Sequence, residues 1–379
     1  MRFDTTSRES NLALIETVRD AMQSLTPVAA RLTYDGGGTK ANLFLTIPAA
    51  NGATTGGLVL SGHTDVVPVD GQQWQSDPFV PEIRDGRLYG RGACDMKGFI
   101  GAVLTALPTF AAAQLREPLH IALTYDEEVG CLGAPVLLAD LAEHDIRPSG
   151  CIVGEPTDMR VVVAHKGINV YRCRLQGHAA HSSLTPSGLN AIEYAARLIC
   201  FIRDLADEFR TNGPFDRDFD VPFSTGQTSL IKGGNAVNTV PSECELVFEY
   251  RNLPGVDAGG IEARIRHYVD HDLLPRMRRE HPDAAVELTR LAATPSLDAS
   301  EQAAVTMLVR ALARDDVMRK VGYATEGGQF LQAGIPAVIC GPGSITQAHK
   351  ADEFVTLAQI VECEGFLMRL CNSMRTDAR

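Results

Sequence analysis

Five stretches of this chain bring a short apolar or glycine-rich segment up to an acid or a histidine, and that repetition limits the folds open to it. Leu58 to Leu60 reads as a strand buried on both faces and runs on into His63 and Asp65 within GGLVLSGHTDVVP. The glycine-rich GRLYGRGACDMKG presents Asp95 at the mouth of an apolar helix expected from Met96 to Ala113. Leu119 to Tyr125 ends in Asp126, Glu127 and Glu128, and Cys151 to Gly154 ends in Glu155 and Pro156. Ala337 to Cys340 is followed by GPGSITQAHKADEF, which carries His349 in a loop. Open parallel sheets gather ligands just outside the carboxyl ends of their strands, and this pattern puts charge at those ends.

Taken singly, each stretch has a plainer explanation. His63 can be a histidine satisfied in a turn, Asp95 a helix cap, and the three acids a solvated turn. Together they form a donor set. Asp65, two residues after His63, is placed to hold one imidazole nitrogen and present the other to a metal. Adjacent carboxylates at the end of a buried strand repel one another and call for a cation. Histidines and carboxylates without cysteine suit zinc, ahead of cobalt or manganese. There are more carboxylates than one tetrahedral ion uses, which implies two ions sharing a bridging group.

With 379 residues and 45% hydrophobic content, the chain can form two domains. A formal charge of −12 argues against nucleic acid or an anionic membrane as partner. No stretch is apolar for the length of a membrane span, and the start lacks a signal-peptide layout, so a cytoplasmic location is expected. The nine scattered cysteines read as small buried hydrophobes, with Cys94 notable for adjoining Asp95.

From Gly167 to Val286 the pattern changes. Tyr171, Cys173 and Leu175 alternate with Arg172 and Arg174, as in a strand with one buried face. A helix over Asn190 to Phe209, strands over Thr228 to Lys232 and Glu245 to Arg251, a helix near Ile261 to His271 and a strand from Ala285 to Leu288 follow. The order β-α-β-β-α-β predicts a ferredoxin-like unit with a face or edge left for self-association. The expectation is an α/β protein: a mostly parallel-sheet metallohydrolase catalytic domain (1–166 and 287–379) with an inserted ferredoxin-like α+β lid or dimerisation domain (167–286).

SGHTDVVP, GRGACDMKG, DEEVGCLGA, GEPT and QAHKADEF together resemble the dinuclear zinc aminoacylase and carboxypeptidase family, and the match runs nearly the whole chain. HSSLTPSGLNAIEYAARLI and ATEGGQFLQAGIPAVICGPGSITQAHKADEF look most like the acetylornithine deacetylases within it. FDTTSRESNL resembles the family's early segment, without the helix that usually precedes it.

The resemblance implies His63 and Glu155 as ligands of one zinc, Glu128 and His349 as ligands of the other, and Asp95 as the bridge. Asp65 becomes the partner behind His63, and Glu127 the general base. His181 in GHAAHSS becomes a donor to the tetrahedral oxyanion of a neighbouring subunit's site, which implies a homodimer; His178 falls where relatives vary. Asn238 and Arg251 become holders of the substrate carboxylate. The implied reaction is hydrolysis of N2-acetyl-L-ornithine by two Zn2+, with Co2+ a possible substitute. Alternatives are deacylation of another small N-acyl amino acid such as N-acetylcitrulline, and desuccinylation; Glu326 is a candidate partner for a substrate ammonium. A metal-binding regulatory protein that has lost turnover is the reading from another class, and such a protein should lack Glu127 or a ligand.

Overall fold

The computed structural model describes residues 1–25 and 28–376. The chain divides into two compact units, one of residues 1–164, 297–320 and 325–379, the other of residues 165–296 and 321–324.

The first unit is built on a six-stranded sheet in the order Ala29–Tyr34, Ala41–Ile47, Leu119–Thr124, Leu58–His63, Gly150–Val153, Ala337–Ile339. The first two pairings are antiparallel and the last three parallel. Every residue of the four strands from Ala41–Ile47 to Gly150–Val153 is buried, as expected where both faces are covered. Polar ends on such strands are therefore costly unless they find partners. Within this sheet, Leu58–His63 has the next two strands in chain order, Leu119–Thr124 and Gly150–Val153, on opposite sides. The loops at its carboxyl end diverge accordingly and leave a crevice there.

The second unit has a four-stranded antiparallel sheet ordered Thr225–Gly233, Glu243–Asn252, Gly167–Gln176, Ala285–Thr294. Burial alternates along Gly167–Gln176 and Glu243–Asn252, the mark of a sheet covered on one face. Tyr171, Cys173, Leu175, Leu246 and Phe248 pack there against Leu198 and Ile202 of the helix Ala191–Asn212 and Ile261 and Ile265 of the helix Ala258–His267. This is the ferredoxin-like order. The second helix runs longer than its sequence suggested, passing through a π-helical turn at Tyr268–Leu273 into Leu274–Glu280.

All nine cysteines are free. Cys200 departs from the expectation of burial, since it lies on an exposed position of its helix. Among the described residues, no helix is long and apolar enough to cross a membrane.

Candidate metal centre

His63 closes its strand with its side chain buried. Its Nδ1 lies 2.9 Å from the backbone carbonyl oxygen of Asp65 and 3.6 Å from that residue's Oδ1. The carbonyl is thus the nearer acceptor for the Nδ1 proton, with the carboxylate expected from sequence standing just behind it. The Asp65 carboxylate accepts instead from the Glu127 amide at 3.0 Å, the Glu128 amide at 3.2 Å and the Ser7 hydroxyl at 2.7 Å. It fixes the backbone of the two glutamates as well as standing behind His63.

With Nδ1 as donor, Nε2 of His63 is the nitrogen left to meet a cation, and it lies 2.9 Å from Asp95 Oδ1 and 3.7 Å from Glu155 Oε1. The other Asp95 oxygen lies 3.3 Å from Nε2 of His349, which is 3.0 Å from Glu128 Oε2. Two donor groups result, His63–Asp95–Glu155 and Asp95–Glu128–His349, each with its ligand atoms within 4.8 Å of one another. Asp95 belongs to both, one oxygen to each. It does not cap the helix Lys97–Ala112, whose N-cap residue is Met96 and receives no side-chain cap. Glu155 reaches its place because Gly154 lets the strand end pass Phe99: a Cβ there would lie 2.1 Å from the ring.

The charges are unbalanced without a cation. Asp65, Asp95, Glu127, Glu128 and Glu155 surround two histidines, and among the described residues no lysine or arginine forms an ion pair with any of the five. Asp126, the third acid of its run, is paired separately with Lys40 at 2.5 Å. Burial raises Glu127, Glu128 and Glu155, and the neighbouring carboxylates raise them further. Burial works against the imidazolium of His63, yet Asp65, Asp95 and Glu155 outweigh it and hold the ring well above its usual range. His349 is pushed up to about 10 by its hydrogen bonds to Asp95 and Glu128. Such a set, rich in acceptors and short of protons and cations, fits divalent ions of the zinc class.

Sequence reading missed the supports. Ser7, Lys40 and Gln72 bear on this cluster from other segments of the chain, while Arg91 and Glu353 sit inside the motifs of Asp95 and His349 and pair with each other across them. The Cys94 thiol donates to the Ser344 carbonyl at 3.2 Å, and burial, Glu353 and Asp95 raise it above the usual thiol range. Glu326 accepts from the hydroxyls of Ser61 and Thr124 and is 1% exposed, so it ties together the strands Leu58–His63 and Leu119–Thr124.

His181, Asn238 and Arg251 belong to the second unit. His181 Nδ1 accepts the Ser183 amide at 3.2 Å, so its proton sits on Nε2. Asn238 is close by, its carbonyl accepting from the Ser182 amide. Arg251 is the penultimate residue of the strand Glu243–Asn252 and pairs with Glu249 at 3.3 Å. His178 stacks on His281 with ring centroids 4.0 Å apart.

Residues 59–373 match the peptidase family M20/M25/M40. Acetylornithine deacetylase of Proteus mirabilis (strain HI4320) is 34% identical over 359 residues, covering 94% of this chain and 88% of the relative. The Pasteurella multocida (strain Pm70) enzyme of the same name is 34% identical over 370 residues, covering 97% and 92%. The fold is similar to that of human carnosine dipeptidase 1, at TM-score 0.71 and 16% identity over 98% of this chain and 94% of that one. It is also similar to a dinuclear metal binding peptidase of the M20 family from Bacillus subtilis, at TM-score 0.63 and 13% identity over 98% and 95%. With a family match across most of its length and curated relatives at a third identity, the chain belongs to peptidase family M20/M25/M40 and is a metal-dependent hydrolase.

Proposed function

We propose that this hydrolase cleaves the amide bond of N2-acetyl-L-ornithine to give acetate and L-ornithine, a reaction of arginine biosynthesis. The observation that carries a two-ion reading is Asp95, whose two oxygens serve two separate donor groups. His63 and Glu155 would hold one Zn2+, Glu128 and His349 the other. The ions, once bound, supply Lewis acidity that lowers the pKa of a water and polarises the amide carbonyl.

The remaining steps fall to the chain itself. Glu127 is the glutamate not spent on a metal, and its backbone is fixed by Asp65; it takes a proton from the attacking water and delivers it to the leaving amine. His181, with its proton on Nε2, donates to the oxyanion of a partner subunit's site. Asn238 and Arg251 hold the substrate carboxylate, where a guanidinium fork can bond it in two places. The substrate choice is supported by the two relatives at 34% identity that bear the name acetylornithine deacetylase. The homodimer is supported by the edge strand Thr225–Gly233, where Leu230 and Ile231 are exposed at 66% and 54%.

The test is metal analysis of purified protein followed by a panel of N-acyl amino acids that includes N2-acetylornithine, N-acetylcitrulline and N-succinyl-diaminopimelate. Two zinc-class ions per chain and the highest kcat/KM on N2-acetylornithine are expected. Full activity with a single ion at saturation refutes the dinuclear assignment; a preference for another acyl amino acid refutes the substrate.

A further inference from the structure

His349 differs from the other candidate ligands in two ways. Its side chain is 53% exposed, whereas those of Asp95 and Glu128 are each 7% exposed and that of His63 is 1% exposed. Its backbone also lies in the left-handed region at φ 63°, a conformation that a residue with a side chain holds only where its surroundings impose it. Burial holds this imidazole less than it holds the other ligands, so its place depends on the loop backbone that carries it.

The carbonyl oxygen of His349 accepts a hydrogen bond from Nε2 of Gln72 at 3.0 Å. The Gln72 amide has no choice of orientation. Its Oε1 receives Arg91 Nη2 at 2.6 Å and Trp74 Nε1 at 3.1 Å, and both of those groups can only donate. Turning the amide over would set its NH2 against two donors. Arg91 is itself immobile, 1% exposed and paired with Glu353 Oε2 at 2.6 Å. Glu353 in turn accepts the amides of Cys94 at 2.8 Å and Asp95 at 3.0 Å. One chain of hydrogen bonds thus runs from the carbonyl of His349 through Gln72, Arg91 and Glu353 to the amide of Asp95, joining the loops that carry His349 and Asp95, two of the three that supply the second donor group.

We propose that Gln72 is a positioning residue for His349, anchored by the buried Arg91–Glu353 pair, and that it sets metal affinity at the Asp95–Glu128–His349 group selectively. The inference rests on the two-ion reading above. The His63–Asp95–Glu155 group shares Asp95 but has no hydrogen bond to Gln72, and its histidine is held by burial and by the Asp65 carbonyl.

The experiment titrates zinc alone into chelator-treated protein, following stoichiometry and affinity by calorimetry and the melting temperature of the metal-free form. Wild type should bind in two steps. Gln72→Met, which keeps the length and removes both polar atoms, should weaken one step by about 10-fold or more, as supports behind metal ligands do, and leave the other within about 2-fold. Two backgrounds assign the step. In Glu155→Gln protein, which keeps the His349 group, Gln72→Met should weaken what binding remains; in Glu128→Gln protein, which keeps the His63 group, it should change little. Unchanged titrations in all Gln72→Met proteins overturn the proposal. So does an equal weakening of both steps with a lowered metal-free melting temperature, which makes Gln72 a general structural residue. A wild type that binds only one ion overturns the two-ion reading itself and the proposal with it, an outcome distinct from two wild-type steps that ignore Gln72.

Discussion

Glu127 and Glu128 are chain neighbours with opposite assignments, and the difference lies in what each side chain meets. Glu128 lies 3.0 Å from His349, while Glu127 Oε1 meets only the thiol of Cys131 at 3.3 Å among the bonds described. Glu127→Gln preserves the shape and removes the proton acceptor, so kcat should fall by about 10²–10⁴-fold with zinc content unchanged in metal analysis. Retained kcat would remove Glu127 from the proton transfer. Asp65 is a stricter case because its carboxylate carries three donors. Asp65→Asn replaces one acceptor oxygen by a donor facing other donors, and should weaken zinc binding by about 10–100-fold in competition with a chelator. Unaltered affinity would mean that the carbonyl of this residue, and not its carboxylate, does all the work behind His63.

At the scale of elements, the strand Leu119–Thr124 carries a histidine with no part in the metal centre. His120 is fully buried, stacked on Phe44, with Nε2 donating to the Gly56 carbonyl and Nδ1 accepting the Thr46 hydroxyl. The neutral ring is satisfied on both nitrogens, and burial depresses it to about 4. Between that value and the unfolded value of about 6.5 the unfolded chain binds a proton that the native chain refuses, so stability is lost as pH falls through this window. The loss attributable to His120 between pH 8 and pH 5 is about 2 kcal/mol. Urea denaturation of metal-loaded wild type and His120→Leu at both pH values measures it. The variant starts lower, having left two polar partners unpaired, but its stability should fall by about 2 kcal/mol less across the interval. Parallel losses in the two proteins would exclude His120 as the source.

For the whole molecule, the proposed placement of His181 in a partner's site makes a prediction that no single chain can satisfy. Glu127→Ala and His181→Ala proteins should each be nearly inactive, and co-expression should restore activity in mixed dimers. There, one site lacks both groups while the other keeps its own Glu127 and receives an intact His181. About half the sites in verified mixed dimers should recover, against a loss of about 10²–10³-fold for a missing oxyanion donor. No recovery would sink the arrangement in trans and leave the dimer without that catalytic reason.

What the sequence determined by itself was local: apolar runs that must be strands, and acids and histidines at their ends. Strand Leu58–His63 is legible because burial on both faces demands an unbroken apolar run, and its carboxyl end because charge cannot continue inside. The alternation of Tyr171, Cys173 and Leu175 shows a one-sided sheet for the same reason of period. Motif resemblance then attached roles to His63, Asp95 and Glu155. Motif resemblance also implied which groups share an ion, but residue type and spacing alone could not have paired Asp95 with His349, which are far apart in the chain and meet only through tertiary folding. Ser7 donating to Asp65 and Gln72 donating to the His349 carbonyl are likewise tertiary. Hydrogen bonds are decided by angles and by distances of a few tenths of an ångström, and these depend on how separate segments pack, which residue type and spacing do not encode.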